Sequence, residues 1–300
     1  MKIIAGSSNP DLASAVAKLC NTELARVQLS EFPNGESRVV VTETSIGKEA
    51  VVLQSLSSPV DRHIVELALL SDAVTRMGVT ELTVVVPWLG YAKQDKVFKP
   101  GEPLSVKVVA QLLQVAKYSR VITFDLHNQA IVGFFEIPVV ELSARPLFLQ
   151  HFRDSLDLPH TVVVAPDAGA VKSSTEFARE LGVQTVYMDK KRDLVTGKVE
   201  VVGISGRVKN KHVLLVDDNI VTGSTLLTTS EVLRKEGAMS VRVGVTHHMW
   251  VPGVQEKIEK SGIDEIVVTD TVDSSEKLKV KSEKLKVLSV AGIIAEELSR

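Results

Sequence analysis

The chain has 300 residues, of which 44% are hydrophobic and 24% charged, with a formal net charge of −2. That is the composition of a globular protein large enough for two cores, and it gives no electrostatic case for binding nucleic acid or an anionic membrane surface. No apolar run reaches the ~18 residues of a membrane span, Cys20 as the only cysteine excludes an internal disulfide and a cysteine-based zinc site, and Met1–Ser7 lacks the apolar core of a signal peptide, so the expected location is the cytoplasm.

An amphipathic helix is predicted over 12–24, with Cys20 as a small core residue. Phe32-Pro33-Asn34-Gly35-Glu36 then brings an aromatic, an amide and a carboxylate together on what also reads as a plain hairpin turn, because Asn-Gly is a strong turn signal. Apolar runs of strand length follow at 50–53, 82–86, 121–124, 161–165, 184–188, 213–216, 241–246 and 265–269. Helical patterns at 59–77, 105–116, 172–181 and 226–236 alternate with them. Continuous Val/Ile/Leu runs mark strands buried on both faces, so the expected class is α/β with mostly parallel sheets. Lys277–Lys281 reads as an exposed edge strand or loop, and 288–298 as a closing amphipathic helix.

Two segments echo earlier ones. Thr83-Val84-Val85-Val86 resembles Thr161-Val162-Val163-Val164, and Val121-Ile122-Thr123-Phe124-Asp125 resembles Val213-Leu214-Leu215-Val216-Asp217. The order suggests a tandem duplication with an insertion in the second copy, in the polar stretch from Met188 to about Gly206.

Chemistry concentrates where apolar strands end. After 213–216 come Asp217 and Asp218, then Thr222-Gly223-Ser224-Thr225 and a helical run. Small and hydroxylated residues let backbone N–H groups and hydroxyls converge on a phosphate at a helix N-terminus, while the acidic pair suits ribose hydroxyls or a metal beside it. The plain alternative is that these residues only cap the helix. The first copy reads Leu126-His127-Asn128-Gln129 after Asp125 and cannot form this cradle, which implies two substrates meeting at the junction of the halves. Tyr91-Ala92-Lys93-Gln94-Asp95-Lys96 offers nucleotide-contacting groups or a solvated face, and Pro166-Asp167-Ala168-Gly169 puts a carboxylate in a tight loop. Neither a Walker P-loop nor a Gly-x-Gly-x-x-Gly fingerprint occurs.

In this order, with Gly133-Phe134-Phe135-Glu136-Ile137-Pro138 and Lys286-Val287-Leu288-Ser289-Val290-Ala291, these motifs resemble the ribose-phosphate pyrophosphokinases over essentially the whole chain. Phe98–Ser105 looks closer to archaeal-type members. The resemblance implies two tandem type I phosphoribosyltransferase-like domains, an ATP-side domain at 1–143 joined by a C-terminal helix at 287–300 and a ribose-5-phosphate domain at 144–286. It implies Mg²⁺-dependent transfer of the β,γ-diphosphoryl group of ATP to the C1 hydroxyl of ribose 5-phosphate, giving phosphoribosyl pyrophosphate and AMP for nucleotide, His and Trp biosynthesis. Phe32, Asn34, Gly35, Glu36, Lys93, Gln94, Asp95 and His127 would bind ATP. His127, Asp167 and Asp125 would be the metal-associated positions, and Lys190 and Arg192 the catalytic pair of a mobile loop. Asp217, Asp218, Val221, Thr222, Gly223, Ser224 and Thr225, with Arg192, would hold ribose 5-phosphate.

A homo-oligomer (a dimer or a hexamer of dimers) is implied too, with the Phe32–Glu36 loop completing a neighbour's ATP site. The chain departs from the family pattern at Lys93, usually Arg; at Val221, usually polar; at Asn219, usually apolar; and at Gly223-Ser224. His247-His248 suggests a metal pair, but neighbours on a strand point to opposite faces, which favours a structural role. Two other readings stay open: a phosphoribosyltransferase that consumes phosphoribosyl pyrophosphate, and a non-catalytic partner of a true synthase.

Overall fold

The computed structural model describes residues 1–114, 116, 118–192, 199–274 and 282–300, with backbone alone at 190–192 and 199–202. The chain forms two compact units, one built on Met1–Ser143 with Asp270–Ser275 and Ser289–Arg300, the other on Ala144–Thr269 with Glu276–Leu288.

The first unit begins with β1 (Lys2–Ala5), α1 (Pro10–Leu19), β2 (Val27–Glu31), β3 (Ser37–Val41) and β4 (Glu49–Leu53). It continues with α2 (Val60–Arg76), β5 (Glu81–Val86), α3 (Ser105–Gln114), β6 (Arg120–Phe124) and β7 (Val139–Leu142). Its main sheet is parallel throughout, in the order β1-β4-β5-β6-β7, and β2 and β3 pair as a separate antiparallel ribbon. Ile3, Ile4, Val52, Leu53, Val84, Val85 and Ile122 are fully buried in the main sheet. Asn9 starts α1 by accepting from the Leu12 N–H at 3.2 Å, with Pro10 at the first helical position. The helix stops at Leu19, five residues before the expected end at Leu24, because Asn21 turns left-handed and Leu24 bridges to Ile3. Cys20 therefore lies just past the helix and is half-buried, not a core residue as expected, and its partial burial raises the thiol, which disfavours a nucleophilic thiolate.

The second unit contains α4 (Arg145–Ser155), β8 (Thr161–Ala165), α5 (Val171–Leu181), β9 (Gln184–Arg192), β10 (Val199–Ile204), β11 (His212–Ile220) and α6 (Ser224–Lys235). It ends with β12 (Ser240–His248), α7 (Val254–Glu259), β13 (Glu265–Thr269) and β14 (Leu285–Leu288). The sheet order is β10-β9-β8-β11-β12-β13-β14, with β10 antiparallel to β9 and the other pairs parallel. The last helix, α8 (Ala291–Leu298), packs on α1. It starts three residues later than the apolar pattern at 288–298 suggests, because Leu288 still pairs with Thr269 in β14. The expectation for Lys277–Lys281 falls outside the described residues.

The expected duplication is visible in the topology, but not in the register that the echoes suggested. The first unit's order β1-β4-β5-β6-β7 matches β8-β11-β12-β13-β14, and β2–β3 and β9–β10 are both inserted after the first strand. Thus β5 corresponds to β12, and β11 corresponds to β4. The echoes instead paired β5 with β8 and β6 with β11. Fully buried parallel strands select the same Val/Ile/Leu runs wherever they lie, so their similarity reports burial and not equivalence. Among the described residues, no helix is long and apolar enough to cross a membrane.

Candidate functional site

In the second unit, β11 runs four residues past the apolar run and carries both Asp217 and Asp218 inside the strand. The Asp218 N–H donates to Asp217 Oδ1 at 2.9 Å, and Asn219 Nδ2 donates to Asp218 Oδ2 at 2.8 Å. Val221 and Thr222 form an exposed lip. Gly223 follows with φ of +70°, a left-handed conformation that a side chain would strain, and α6 opens directly behind it. No side chain caps α6, so the plain capping alternative is not what the residues do. The Thr222 and Ser224 hydroxyls lie 3.1 Å apart at this opening, and Thr225 is exposed on the first turn. Uncapped N–H groups, adjacent hydroxyls and the positive end of a twelve-residue helix form an anion cradle with two carboxylates beside it.

Three other predicted residues of this unit sit differently. Asp167 follows β8 and accepts from the Gly169 and Ala170 N–H groups at 3.0 and 3.2 Å, opening a short 3-10 turn. Lys190 and Arg192 lie on β9, in register with Val201 and Val199 of β10. The strand expected to end at Met188 therefore continues through them, and the polar stretch begins with positions paired antiparallel to β10. Residues 193–198 of that stretch lie outside the described residues.

In the first unit the loops after the adjacent strands β5 and β6 are joined. Lys93 and Gln94 are exposed, and Gln94 Oε1 accepts from Ser105 Oγ at 2.7 Å. Asp95 Oδ2 accepts from Asn128 Nδ2 at 2.7 Å, which ties the Lys93–Asp95 segment to the one carrying His127. Asp125 has a left-handed φ of +32° and is held by Ser143 Oγ donating to its Oδ1 at 2.7 Å. Glu141 Oε1 accepts the Leu126 N–H at 3.0 Å, so β7 braces the turn that presents the exposed His127.

The sequence reading missed Glu141 and Ser143. The one available signal was a carboxylate interrupting the short apolar run Val139–Leu142. Burial is the larger cause that pushes the Glu141 carboxyl up, and the Asp125 charge adds to it against the Leu126 hydrogen bond. A raised carboxyl holds its proton more tightly folded than unfolded, so its contribution is lost as pH rises through the raised value. Glu141→Gln keeps an acceptor for Leu126 without the charge. Its Tm at pH 7 should be higher by roughly 2 °C, a gain that vanishes as pH falls into the ordinary carboxylate range in thermal melts.

The Phe32–Glu36 segment is the hairpin turn between β2 and β3, closed by Phe32 N–H to Glu36 O at 2.8 Å and by Gly35 at φ +89°. Asn34 Oδ1 accepts from the Glu36 N–H at 3.3 Å. The ribbon packs on α2 through β3, and Arg62 pairs with Glu31 at 3.0 Å. Phe32 remains 45% exposed, with the Arg38 guanidinium 5.9 Å from its ring centre. His247 and His248 are both buried on β12, and His248 Nδ1 accepts from the Trp250 N–H at 2.9 Å while stacking on that indole. Among the described residues, no group of three or more His, Cys, Asp or Glu side chains could hold a metal ion by itself.

Known proteins resemble this chain over its whole length. The family model for the N-terminal domain of ribose phosphate pyrophosphokinase matches residues 1–116, and that for the phosphoribosyl synthetase-associated domain matches 194–300. The curated ribose-phosphate pyrophosphokinase of Wolinella succinogenes is 38% identical over 299 residues, covering 100% of this chain and 95% of its own length. The chain belongs to the ribose-phosphate pyrophosphokinase family. The ribose-phosphate pyrophosphokinase of Thermotoga maritima is 37% identical, again over 100% of this chain and 94% of the relative. The crystal structure of phosphoribosylpyrophosphate synthetase from Mycobacterium smegmatis superposes with a TM-score of 0.89 at 33% identity, covering 99% of this chain and 97% of that one. As a ribose-phosphate pyrophosphokinase, the chain is a transferase of two phosphoribosyltransferase-like α/β domains, and its substrates are ATP and ribose 5-phosphate.

Proposed function

We propose that the strand-end clusters of the two units carry the ribose-phosphate pyrophosphokinase reaction, in which the C1 hydroxyl of ribose 5-phosphate takes the β,γ-diphosphoryl group of ATP and AMP leaves. The observation that carries the assignment is the uncapped N-terminus of α6 behind Gly223, with Asp217 and Asp218 alongside. The Thr222–Thr225 cradle takes the 5-phosphate, the two carboxylates take ribose hydroxyls, and Val221 lines the lip. The first unit, with α8, is the ATP side, where Lys93, Gln94 and Asp95 contact the nucleotide and Phe32, Asn34, Gly35 and Glu36 contribute the aromatic turn. Lys190 and Arg192 neutralise charge on the diphosphoryl group in transfer, with Arg192 also reaching the sugar phosphate. Such transfer depends on positioning and electrostatics more than on covalent chemistry.

Asp125 and His127 of the first unit, and separately Asp167 of the second, are donors of the kind Mg²⁺ takes, and an ion bound chiefly by phosphate oxygens and water would need only one or two protein ligands. When bound, the ion neutralises polyphosphate charge. Ser143 and Glu141 keep the Asp125–His127 turn in place for it. The half-exposed Phe32 supports a homo-oligomer in which this turn completes a neighbour's ATP site, and we propose a cytoplasmic location. Purified protein with ATP, ribose 5-phosphate and Mg²⁺ should release AMP. Thr222→Ala and Asp217→Ala should each raise the KM for ribose 5-phosphate about tenfold, in keeping with loss of a charge-assisted hydrogen bond. An unchanged sugar-phosphate KM in both variants would remove the cradle from substrate binding.

A further inference from the structure

Between β5 and α3 the chain runs through residues 87–104 without a helix or strand, and this loop carries Lys93, Gln94 and Asp95. Structureless loops this long inside a compact domain are uncommon and usually serve function. Its base is buried and pressed on the start of α2. Trp88 and Leu89 are buried, and a Cβ on Gly90 would meet Leu56 O and Val60 Cγ1 at 2.8 Å. Tyr91 then takes a left-handed φ of +65°, a costly conformation for an aromatic residue that persists only where its surroundings enforce it. Two contacts hold it. Its hydroxyl donates at 2.6 Å to Oδ1 of Asp61, in the first turn of α2, and its carbonyl accepts from the Gln94 N–H at 2.8 Å. The hydrogen bond to Asp61, ahead of burial, pushes the Tyr91 phenol up, so it stays a donor throughout the neutral range.

We infer that Tyr91 is a positioning residue for the ATP side, staking the upstream end of the nucleotide-contacting segment to α2 through Asp61. The downstream end is fixed independently. Ser105 Oγ donates to Gln94 Oε1 at 2.7 Å, the Val106 N–H donates to Gln94 O at 3.3 Å, and Asn128 Nδ2 donates to Asp95 Oδ2 at 2.7 Å. Lys93 lies between the two anchors and is exposed. Without the Tyr91 hydroxyl the left-handed turn loses its tether to α2, and the nucleotide must order the segment itself, at a cost to ATP binding. The ribose-5-phosphate cradle belongs to the second unit, so the effect falls on ATP and not on the sugar phosphate. The inference rests on the proposed contact of Lys93, Gln94 and Asp95 with ATP.

The test is a double-mutant cycle on the KM for ATP, read by AMP release, with the KM for ribose 5-phosphate and Tm measured in parallel. Tyr91→Phe keeps the ring and removes the donor. It should raise the ATP KM about five- to tenfold and leave the sugar-phosphate KM within about twofold, in keeping with loss of a hydrogen bond to a charged group. Asp61→Ala should match it, whereas Asp61→Asn, whose amide oxygen still accepts from the hydroxyl, should stay within about twofold of wild type. Combining Tyr91→Phe with Asp61→Ala should add less than about twofold to either alone, because both remove one tether. Full additivity, an unchanged ATP KM in Tyr91→Phe, or an equal rise in both KM values with a lowered Tm would overturn the inference and leave the pyrophosphokinase reading standing. Lys93→Ala and Gln94→Ala enzymes that both keep the wild-type ATP KM would overturn the contact of that segment with ATP, and this inference with it. A wild-type protein that releases no AMP would overturn the pyrophosphokinase reading as well.

Discussion

Lys190→Ala should lower kcat by about 10²–10³-fold while raising KM for either substrate far less, because the charge it meets develops only during diphosphoryl transfer. Arg192→Ala should behave alike, and the double variant should lose much less than the product of the two. The two residues stand two apart on β9 and pair in register with Val201 and Val199, so one backbone arm carries both. Groups placed by a single element act as a unit, which is the usual origin of strong non-additivity. Lys190→Arg should recover only part of the rate, since a planar fork and a compact ammonium present charge differently. Steady-state kinetics with both substrates varied decides it. A Lys190→Ala enzyme with kcat within about twofold of wild type would reduce the residue to a surface position, where substitutions ordinarily do little.

The cradle was legible because several local signals coincide over a few residues: an apolar strand, two carboxylates, a glycine and three hydroxyls leading into a helix. Strands such as Thr161–Ala165 were legible because every residue in them is buried, which forces an apolar run. What brings the other site residues together is long-range and left little trace in sequence. Asn128 meets Asp95 across 33 residues, and Glu141 meets Leu126 across 15. Strand β7 is four residues of half-buried positions with a carboxylate among them, and the ribbon strands β2 and β3 are mostly half-buried or exposed, so neither gives a clean period. The echoes point to the wrong register of the duplication for the opposite reason: too many strands look alike when all are buried. Topology resolves it, because β4 and β11 hold the same place in their sheets although their ends carry unlike residues.

That equivalence shows what the first unit has at the place where the second has the proposed phosphate cradle. Beyond β4, where β11 leads into acidic residues and an open helix start, the first unit has Gln54 and a closed polar network. Gln54 Nε2 donates to Glu66 Oε1 at 2.8 Å, and Gln54 Oε1 accepts from Ser8 N–H and Oγ at 3.1 and 2.7 Å. Glu66, on α2 and 2% exposed, also accepts from Ser7 N–H at 2.7 Å and Ser7 Oγ at 2.8 Å. A Cβ on Gly6 would collide with the Gln54 amide, so the strand end is filled by protein and leaves no room for a ligand.

Glu66→Ala should therefore destabilise this unit by about 3 kcal/mol, from a buried Gln54 donor left unmade and the space of the lost side chain. That corresponds to a fall in Tm of roughly 6 °C or more. Glu66→Gln is the decisive contrast. Its carbonyl can stay where Oε1 serves Ser7 N–H and Gln54, and its amide can donate to a rotated Ser7 hydroxyl, so the loss should stay below about 1 kcal/mol. If Glu66→Gln were as damaging as Glu66→Ala, the carboxylate charge itself would be required there, and the first unit's strand end would be an electrostatic site after all. If both variants melted with the wild type, the network would contribute nothing to holding that end closed.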